Sequence, residues 1–161
     1  ANDWMPRSTR QNMKKVETAM TALQQRLGRP PSESEVAKAL NLPLEDYQEM
    51  LFEGGGHQLV YYEDFHEDDG NDSFLDRYAV DDSDPLRALL DTDFRSAVIE
   101  AIDNLPPREK ILMGLYYEEE LNLKEIGAVL GVSESRVSQL HTQAVARLRA
   151  SLRERLWTSP A

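Results

Sequence analysis

The feature that most constrains the fold is the stretch Leu123–Leu148, in which two short apolar patterns flank Gly131. Apolar side chains recur every three or four residues on both sides of this glycine, as on the buried face of a helix. They are Leu123, Ile126 and Leu130 before the glycine, and Val137, Leu140, Ala144 and Leu148 after it. The stretch therefore predicts two helices joined by a tight turn.

The residues around the turn favour a helix-turn-helix over an ordinary helical hairpin. Gly127 offers no side chain at the point where two steeply crossed helices would touch, and Gly131 can take the left-handed conformation that ends a helix. Ser133 is a good N-cap, because its hydroxyl can accept hydrogen bonds from the amides of the next turn. With Val132 filling the corner, the second helix is predicted to begin at a defined residue.

The second helix has a polar outward face once Val137 and Leu140 turn inward. Such side chains reach base edges in the major groove of DNA, and neighbouring arginines reach phosphates. The predicted outward residues are Glu134, Ser135, Ser138, Gln139 and Thr142, and the predicted phosphate contacts are Arg136, Arg147 and Arg149. A solvated polar face is the alternative, but the agreement of glycines, cap and apolar spacing favours DNA binding.

The net charge of −11 counts against DNA binding, since affinity for phosphate comes largely from lysine and arginine. The charge is, however, unevenly distributed. Residues 63–93 hold twelve carboxylates against two arginines, whereas residues 1–29 carry six basic side chains against two acidic ones, and residues 136–155 carry five against one. Both ends are basic, and each could contact phosphate.

The residue content argues against several kinds of site. Without cysteine, and with three scattered histidines, the chain is expected to hold no metal or cofactor. No carboxylate is set beside a histidine or in a glycine-rich loop, so an enzyme is not expected. No leader and no bilayer-spanning run are present, which predicts a cytoplasmic protein without a membrane partner. The start at Ala1 without methionine suggests a missing upstream part.

The rest of the chain predicts an all-α protein of two small helical domains joined by an acidic linker. Residues 1–53 form a three-helix domain, in which Ser32 and Glu35 make a capping box at the second helix. Residues 54–84 are the linker, since they have many carboxylates and no sustained periodicity. Residues 85–157 form the second domain, which ends in the helix-turn-helix.

This order of features resembles regions three and four of bacterial sigma factors, and in detail the flagellar-class alternative sigma factors. The resemblance rests on DWMPRSTR at the start, GRPPSESEVAKAL in the first domain and LPPREKILMGLYYEEELNLKEIGAVLGVSESRVSQLH in the second. It covers nearly the whole chain, and the combination is far more specific than a helix-turn-helix alone. It implies that the family's preceding domain, which melts the promoter, is absent from this sequence.

The resemblance implies a chain that directs core RNA polymerase to a promoter, is held inactive by an anti-sigma factor, and is a monomer when free. It also implies that the linker would thread near the active-site cleft of the polymerase. The residues implied at DNA are Glu134, Ser135, Ser138 and Gln139 facing the minus-35 bases, Arg136 nearer the phosphates, and Asp3, Arg7 and Arg10 beside the minus-10 element. Housekeeping sigma factors tend to carry arginines on this helix, so a different hexamer is implied.

The helix predicted from Arg108 to Tyr117 has more apolar side chains than one small helix usually buries. We expect these residues in the core or, as the resemblance implies, on a face that binds polymerase or the anti-sigma factor. They are Ile111, Leu112, Leu115 and Tyr116.

Two other functions are compatible with the residues. A stand-alone helix-turn-helix regulator would read DNA in the same way, but it usually needs a dimer to place two reading helices one turn apart. A purely protein-binding helical module would account for the acidic balance. Binding to a palindrome as a dimer would favour the regulator, and a monomer that needs polymerase would favour the sigma factor.

Overall fold

A computed structural model of the chain describes residues 7–55 and 85–158. Within these two ranges the chain forms helices and no strand, which confirms the all-α prediction. Asp3 and the predicted linker beyond Gly55 lie outside the described residues, as does the side chain of Arg7. The helices are α1 (Arg7–Leu27), α2 (Glu33–Ala39), α3 (Leu44–Glu53), α4 (Pro85–Asp103), α5 (Pro107–Tyr117), α6 (Leu123–Leu130) and α7 (Glu134–Thr158).

The first three helices pack around the apolar stripe of α1. The buried members of this core include Met13, Val16, Met20, Leu23, Val36, Tyr47 and Leu51. The capping box of α2 is confirmed, because the Ser32 hydroxyl accepts from the Glu35 amide at 3.2 Å, and the Glu35 carboxylate accepts from the Ser32 amide at 2.8 Å. The box fixes the start of α2 and with it the angle at which α2 leaves the end of α1.

Glu35 gives this unit a predicted dependence on pH. Its carboxylate also pairs with Arg29 at 2.7 Å. The hydrogen bond from Arg29, followed by the one from the Ser32 backbone, lowers the pKa of Glu35 from 4.5 to about 2. Because the folded-state pKa is lowered, its contribution to stability is present above pH 4.5 and is lost as the pH falls towards 2.

This dependence can be measured by NMR titration of the Glu35 carboxyl carbon. We expect a midpoint near pH 2, and a midpoint near 4.5 would contradict the pairing. Glu35→Gln should remove part of the stability loss between these pH values, whereas Glu49→Gln, at an exposed position on α3, should not. The energetic effect is expected to be small, because both partners are reached by solvent.

The second group of helices contains the predicted helix-turn-helix, formed by α6 and α7. Gly131 ends α6 with a left-handed φ of 75°, and the Ser133 hydroxyl accepts from the Arg136 amide at 3.1 Å, as predicted. A Cβ atom on Gly127 would lie 2.7 Å from the Val132 carbonyl oxygen, so only glycine permits this close turn. A second capping box, formed by Asn122 and Glu125, starts α6 and was not predicted from the sequence.

The last helix is the structural centre of the described chain, since α7 packs against α1, α3, α4, α5 and α6. Every residue from 140 to 150 is buried. Ala146 and Ala150 complete the core of the first three helices, whereas Val137, Leu140 and Leu148 belong to the core of the second group. One helix therefore serves both of the units that the sequence predicts as separate domains.

Among the described helices none is long and apolar enough to cross a membrane. The described residues also contain no group of three or more histidine, aspartate or glutamate side chains that could hold a metal ion.

Candidate nucleic-acid interface

The N-terminal turns of α7 present the side chains that the sequence assigns to DNA reading. Glu134 and Ser135 are exposed, and Ser138 and Gln139 are half-buried. The orientation of this segment follows from the α6 turn, because Gly131 and the Ser133 cap set where α7 begins. The protruding start of a second helix is the part that enters the major groove in helix-turn-helix proteins.

Arg136 is engaged by the first group of helices. Its two terminal nitrogens donate to the two carboxylate oxygens of Glu33 on α2, each at 2.8 Å, and Nη1 also donates to Oε1 of Gln139 at 3.2 Å. Donation of these hydrogen bonds to the Glu33 carboxylate raises the pKa of Arg136. A two-pronged contact of this kind has the same form as an arginine–phosphate contact. Glu33 therefore engages Arg136 in the way that the sequence predicts for a DNA phosphate.

Thr142 does not lie on an open outward face, so that prediction is wrong. It is 1% exposed, and its hydroxyl donates to the Ser138 carbonyl at 3.0 Å. The end of α3 covers this part of α7, with Gly54 against Thr142 and Gly55 against Ser138. The sequence pattern marks one side of a helix as polar, but it does not show that another helix covers that side.

Arg147 is also not available to phosphate in this arrangement, in contrast to the prediction. It is 7% exposed, and its Nε donates to Glu109 on α5 at 2.9 Å. Its Nη1 is buried and has no hydrogen-bond partner in the described part of the chain. The partner of this arginine lies within the second group of helices, so Arg147 serves to hold α5 against α7.

Glu109 connects this ion pair to the first group of helices. The Gln143 amide donates to Glu109 at 2.7 Å, and the Tyr47 hydroxyl on α3 donates to Gln143 at 2.8 Å. Burial raises the pKa of Tyr47, so its hydroxyl keeps the proton that it donates. Burial also raises the pKa of Glu109, while Arg147 and Gln143 act in the opposite direction. The result is a buried polar chain from α3 through α7 to α5.

A third polar contact joins α1 to α7 further along the helix. Glu17 is 2% exposed and accepts from Arg149 Nε at 2.8 Å, and its other carboxylate oxygen accepts from Arg153. Arg149 was predicted to contact phosphate, but in this arrangement it is buried against α1. Three carboxylates, Glu17, Glu33 and Glu109, thus hold four arginines of α7, namely Arg136, Arg147, Arg149 and Arg153.

Sequence reasoning missed the role of these three carboxylates. Glu17 had a detectable signal, because it lies in the apolar stripe of α1 between Met13 and Met20, where a charge is expected only with a partner. Glu33 and Glu109 had no such signal. Each occupies the first turn of its helix, where an acidic residue is already favourable near the helix N-terminus.

The remaining predicted contact residues divide between surface and core. Arg10 is exposed near the start of α1, and Ile111 is 53% exposed on α5. Leu112 is wholly buried in the second core, which is the first of the two positions that the sequence predicts for it, so it is not available as a protein contact in this structure. Leu115 and Tyr116 are half-buried against the second core.

Comparison with known proteins identifies both parts of the chain. The family model described as Sigma-70 region 3 matches residues 11–84, and the model described as Sigma-70, region 4 matches residues 101–150. The RNA polymerase sigma factor FliA of Yersinia enterocolitica is 50% identical over 94% of this chain and 66% of its own length. The protein of the same description from Escherichia coli (strain K12) is 49% identical over 94% of this chain and 64% of its own length.

A solved chain from the cocrystal structure of the flagellar sigma/anti-sigma complex, Sigma-28/FlgM, is 28% identical and covers 96% of this chain and 63% of that chain. Its TM-score of 0.44 is too low to support a conclusion about the arrangement of the helices. The chain spans just under two thirds of the length of the curated relatives it matches. The two family models and the identity to these relatives show that the chain belongs to the flagellar-class sigma factors of the sigma-70 family, of which it carries regions 3 and 4.

Proposed function

We propose that the chain helps direct core RNA polymerase to flagellar-class promoters, with the start of α7 reading the minus-35 element. The observation that carries this proposal is the helix-turn-helix of α6 and α7, which leaves Glu134 and Ser135 exposed at the start of the second helix. The N-terminal stretch that includes Asp3, Arg7 and Arg10 is proposed to lie near the minus-10 element. The chain acts by binding rather than by catalysis, in the cytoplasm, where polymerase and chromosome meet.

The contacts of α7 with the first three helices support a closed state that must open before DNA is read. Glu33 holds Arg136, and the end of α3 covers Thr142. A partner that bound the closed arrangement more tightly than the open one would keep the reading helix from the promoter. We propose an anti-sigma factor as this partner, with Ile111 among the exposed residues of the second group available to it.

Replacing the exposed Glu134 or the half-buried Gln139 of α7 by alanine should change which minus-35 base is preferred. We expect Gln139→Ala or Glu134→Ala to alter the preferred base at one minus-35 position by about 1–3 kcal/mol, because each side chain would lose its contact with one base edge. Promoter selection from a randomised minus-35 library, with the chain in a reconstituted polymerase, measures this. If both variants kept the original preferences, the assigned reading face would be wrong.

Arg136→Ala provides the comparison for this experiment. An arginine that contacts a phosphate does not distinguish bases, so its loss should weaken binding to all sequences about equally. The slope of the logarithm of the binding constant against the logarithm of the salt concentration should also fall by about one. A change of base preference in this variant would show that Arg136 reads bases.

The proposed function as a whole is tested by mixing the purified chain with purified core RNA polymerase and flagellar-class promoter DNA. We expect a complex with one copy of the chain per polymerase, and protection of the minus-35 region only when polymerase is present. A stable dimer of the chain that protects a palindromic site without polymerase would overturn the proposal, because that behaviour belongs to a stand-alone regulator.

A further inference from the structure

A cavity of about 310 Å³ lies at the junction of α1, α4 and α7. One wall belongs to the first group of helices, with Thr21 and Gln24 on α1, and another belongs to the second group, with Ala101 on α4. The third wall is formed by α7, with Arg147 and Ser151. If α1 separated from α7, the cavity would lose its first wall. The cavity therefore exists only while the two groups of helices are packed together.

Arg147 provides hydrogen-bond donors that the fold leaves unused. It is 7% exposed, and its Nε donates to Glu109. Its Nη1 is buried, and neither of its terminal nitrogens has an acceptor among the described residues. A guanidinium has five N–H donors, and a buried donor without an acceptor costs free energy. An oxygen atom that enters the cavity can therefore accept a hydrogen bond that the described residues do not make.

The charges around the cavity oppose an anion as the source of that oxygen. The positive charge of Arg147 is already matched by Glu109, which is 2.9 Å away and 3% exposed. Two further carboxylates line the cavity, those of Glu100 on α4 and Glu154 on α7. A phosphate or carboxylate would meet more negative than positive charge, and like charges repel more strongly where water is scarce. These charges favour a neutral ligand.

The rest of the lining suits a molecule that both donates and accepts hydrogen bonds. Gln24, Asn104 and Ser151 carry amide and hydroxyl groups, which can act in either direction. A hydroxyl group on a ligand can accept from Arg147 and donate to a carboxylate or amide oxygen. At about 30 Å³ for each molecule of liquid water, the cavity has the volume of about ten waters. That space accommodates a compact molecule about the size of a monosaccharide.

We infer that this cavity binds a small neutral polyol, with the chemistry of a sugar or a sugar alcohol, and that the bound polyol holds the chain closed. Because the site needs walls from both groups of helices, the ligand binds the closed arrangement and not the open one, and it shifts the population towards closed chains. At ten times its dissociation constant, the ratio of closed to open chains should rise about elevenfold.

The consequence for promoter reading rests on the proposed function. If α7 must leave the first helices before it reads the minus-35 element, a polyol that favours closure should weaken binding to a minus-35 duplex. The loss of affinity should approach the same factor of about eleven, because only the open fraction of chains binds DNA.

The test uses the full chain, with D-glucose and myo-inositol as probes. Heteronuclear NMR should show saturable shifts of the Gln24 side-chain amide with these polyols and none with inorganic phosphate at the same ionic strength. Closure is followed by energy transfer between fluorophores on cysteines introduced at Lys38 and Val129, in a Glu17→Gln background that no longer holds Arg149 through a carboxylate. Saturation with the polyol should raise the energy transfer.

Two pairs of variants locate the ligand. Gln24→Ala should weaken polyol binding about fivefold by removing one hydrogen bond, whereas Gln25→Ala, at an exposed position of α1 outside the cavity, should not. Ala101→Leu should abolish binding by filling the cavity, whereas Ala128→Leu, at an exposed position of α6, should leave it unchanged. Circular dichroism of each variant verifies that the helices are retained.

The possible outcomes separate the inference from the proposed function. The inference is overturned if neither polyol binds saturably, if phosphate binds in their place, or if Gln24→Ala and Ala101→Leu bind as their controls do. Polyol binding without a rise in energy transfer would also overturn it. Failure of the chain to bind minus-35 DNA with or without the polyol would instead count against the proposed function, since the binding and energy-transfer measurements involve no DNA.

Discussion

Changing Glu109 to Gln is expected to lower the free energy of unfolding by about 3–5 kcal/mol, the usual cost of removing one partner of a buried ion pair. Glutamine nearly preserves the shape of the side chain and can still accept one hydrogen bond. The loss in stability therefore measures the cost of leaving the buried charge of Arg147 without a carboxylate beside it. Arg147 is 7% exposed and already has one buried nitrogen without a partner, so it has little access to water.

Chemical denaturation followed by circular dichroism measures this loss. The matched variant is Glu109→Gln/Arg147→Met, which removes the stranded charge and should regain much of the lost stability, because a hydrophobic residue is tolerated where a paired charge was buried. Glu118→Gln, at an exposed position just after α5, controls for the change in net charge. A loss below about 1 kcal/mol for Glu109→Gln would show that the pair is solvated, as surface pairs are.

Changing Glu17 to Gln is expected to open the contact between α1 and α7. Glu17 accepts hydrogen bonds from Arg149 and Arg153, and it is buried only because the two groups of helices are packed together. Loss of this carboxylate disfavours the closed arrangement by about 3 kcal/mol, whereas Arg149 in an open chain is reached by water. The ratio of open to closed chains should therefore rise by about a hundredfold.

The absence of cysteine makes this opening convenient to measure, since single cysteines can be introduced for labelling. Fluorophores at Lys38 on α2 and Val129 on α6, both exposed, should show lower energy transfer in the Glu17→Gln variant. The same variant should bind a minus-35 duplex more tightly, because less of its binding energy is spent on opening.

Glu49→Gln, an exposed change on α3, should leave both the energy transfer and the DNA affinity unchanged. Unaltered energy transfer in Glu17→Gln would mean that the remaining contacts keep the arrangement closed, among them the Glu33–Arg136 pair and the packing of Ala146 and Ala150. Circular dichroism distinguishes opening from unfolding, because the helices persist when the chain merely opens.

The sequence predicts best what short stretches of chain decide. Gly131, Ser133 and the Ser32–Glu35 box act on neighbours within four residues, and the structure confirms each of them. The apolar stripes of α1 and α7 likewise follow from helical periodicity alone. These local features are sufficient to identify a helical protein with a helix-turn-helix, and the longer motifs point to its family.

The sequence does not predict which side chains of α7 remain available. Thr142, Arg147 and Arg149 have the chemistry of DNA contacts, yet all three are buried in the described arrangement. A helical pattern identifies the polar side of α7 but contains no information on which distant element packs there. Exposure of a polar face is therefore a property of the whole arrangement.

The amino-acid sequence alone thus determined the helices, the Ser32–Glu35 box, the Ser133 cap and the turn between α6 and α7, because these depend on contacts a few residues apart. Its longer motifs determined the family of the chain. Only the tertiary structure decided the partners of the arginines on α7. Glu33 lies 103 residues from Arg136, and Glu17 lies 132 residues from Arg149. Pairings at such separations depend on how completed helices pack. An acidic residue in the first turn of a helix has the same sequence pattern whether it faces water or pairs with an arginine from the far end of the chain.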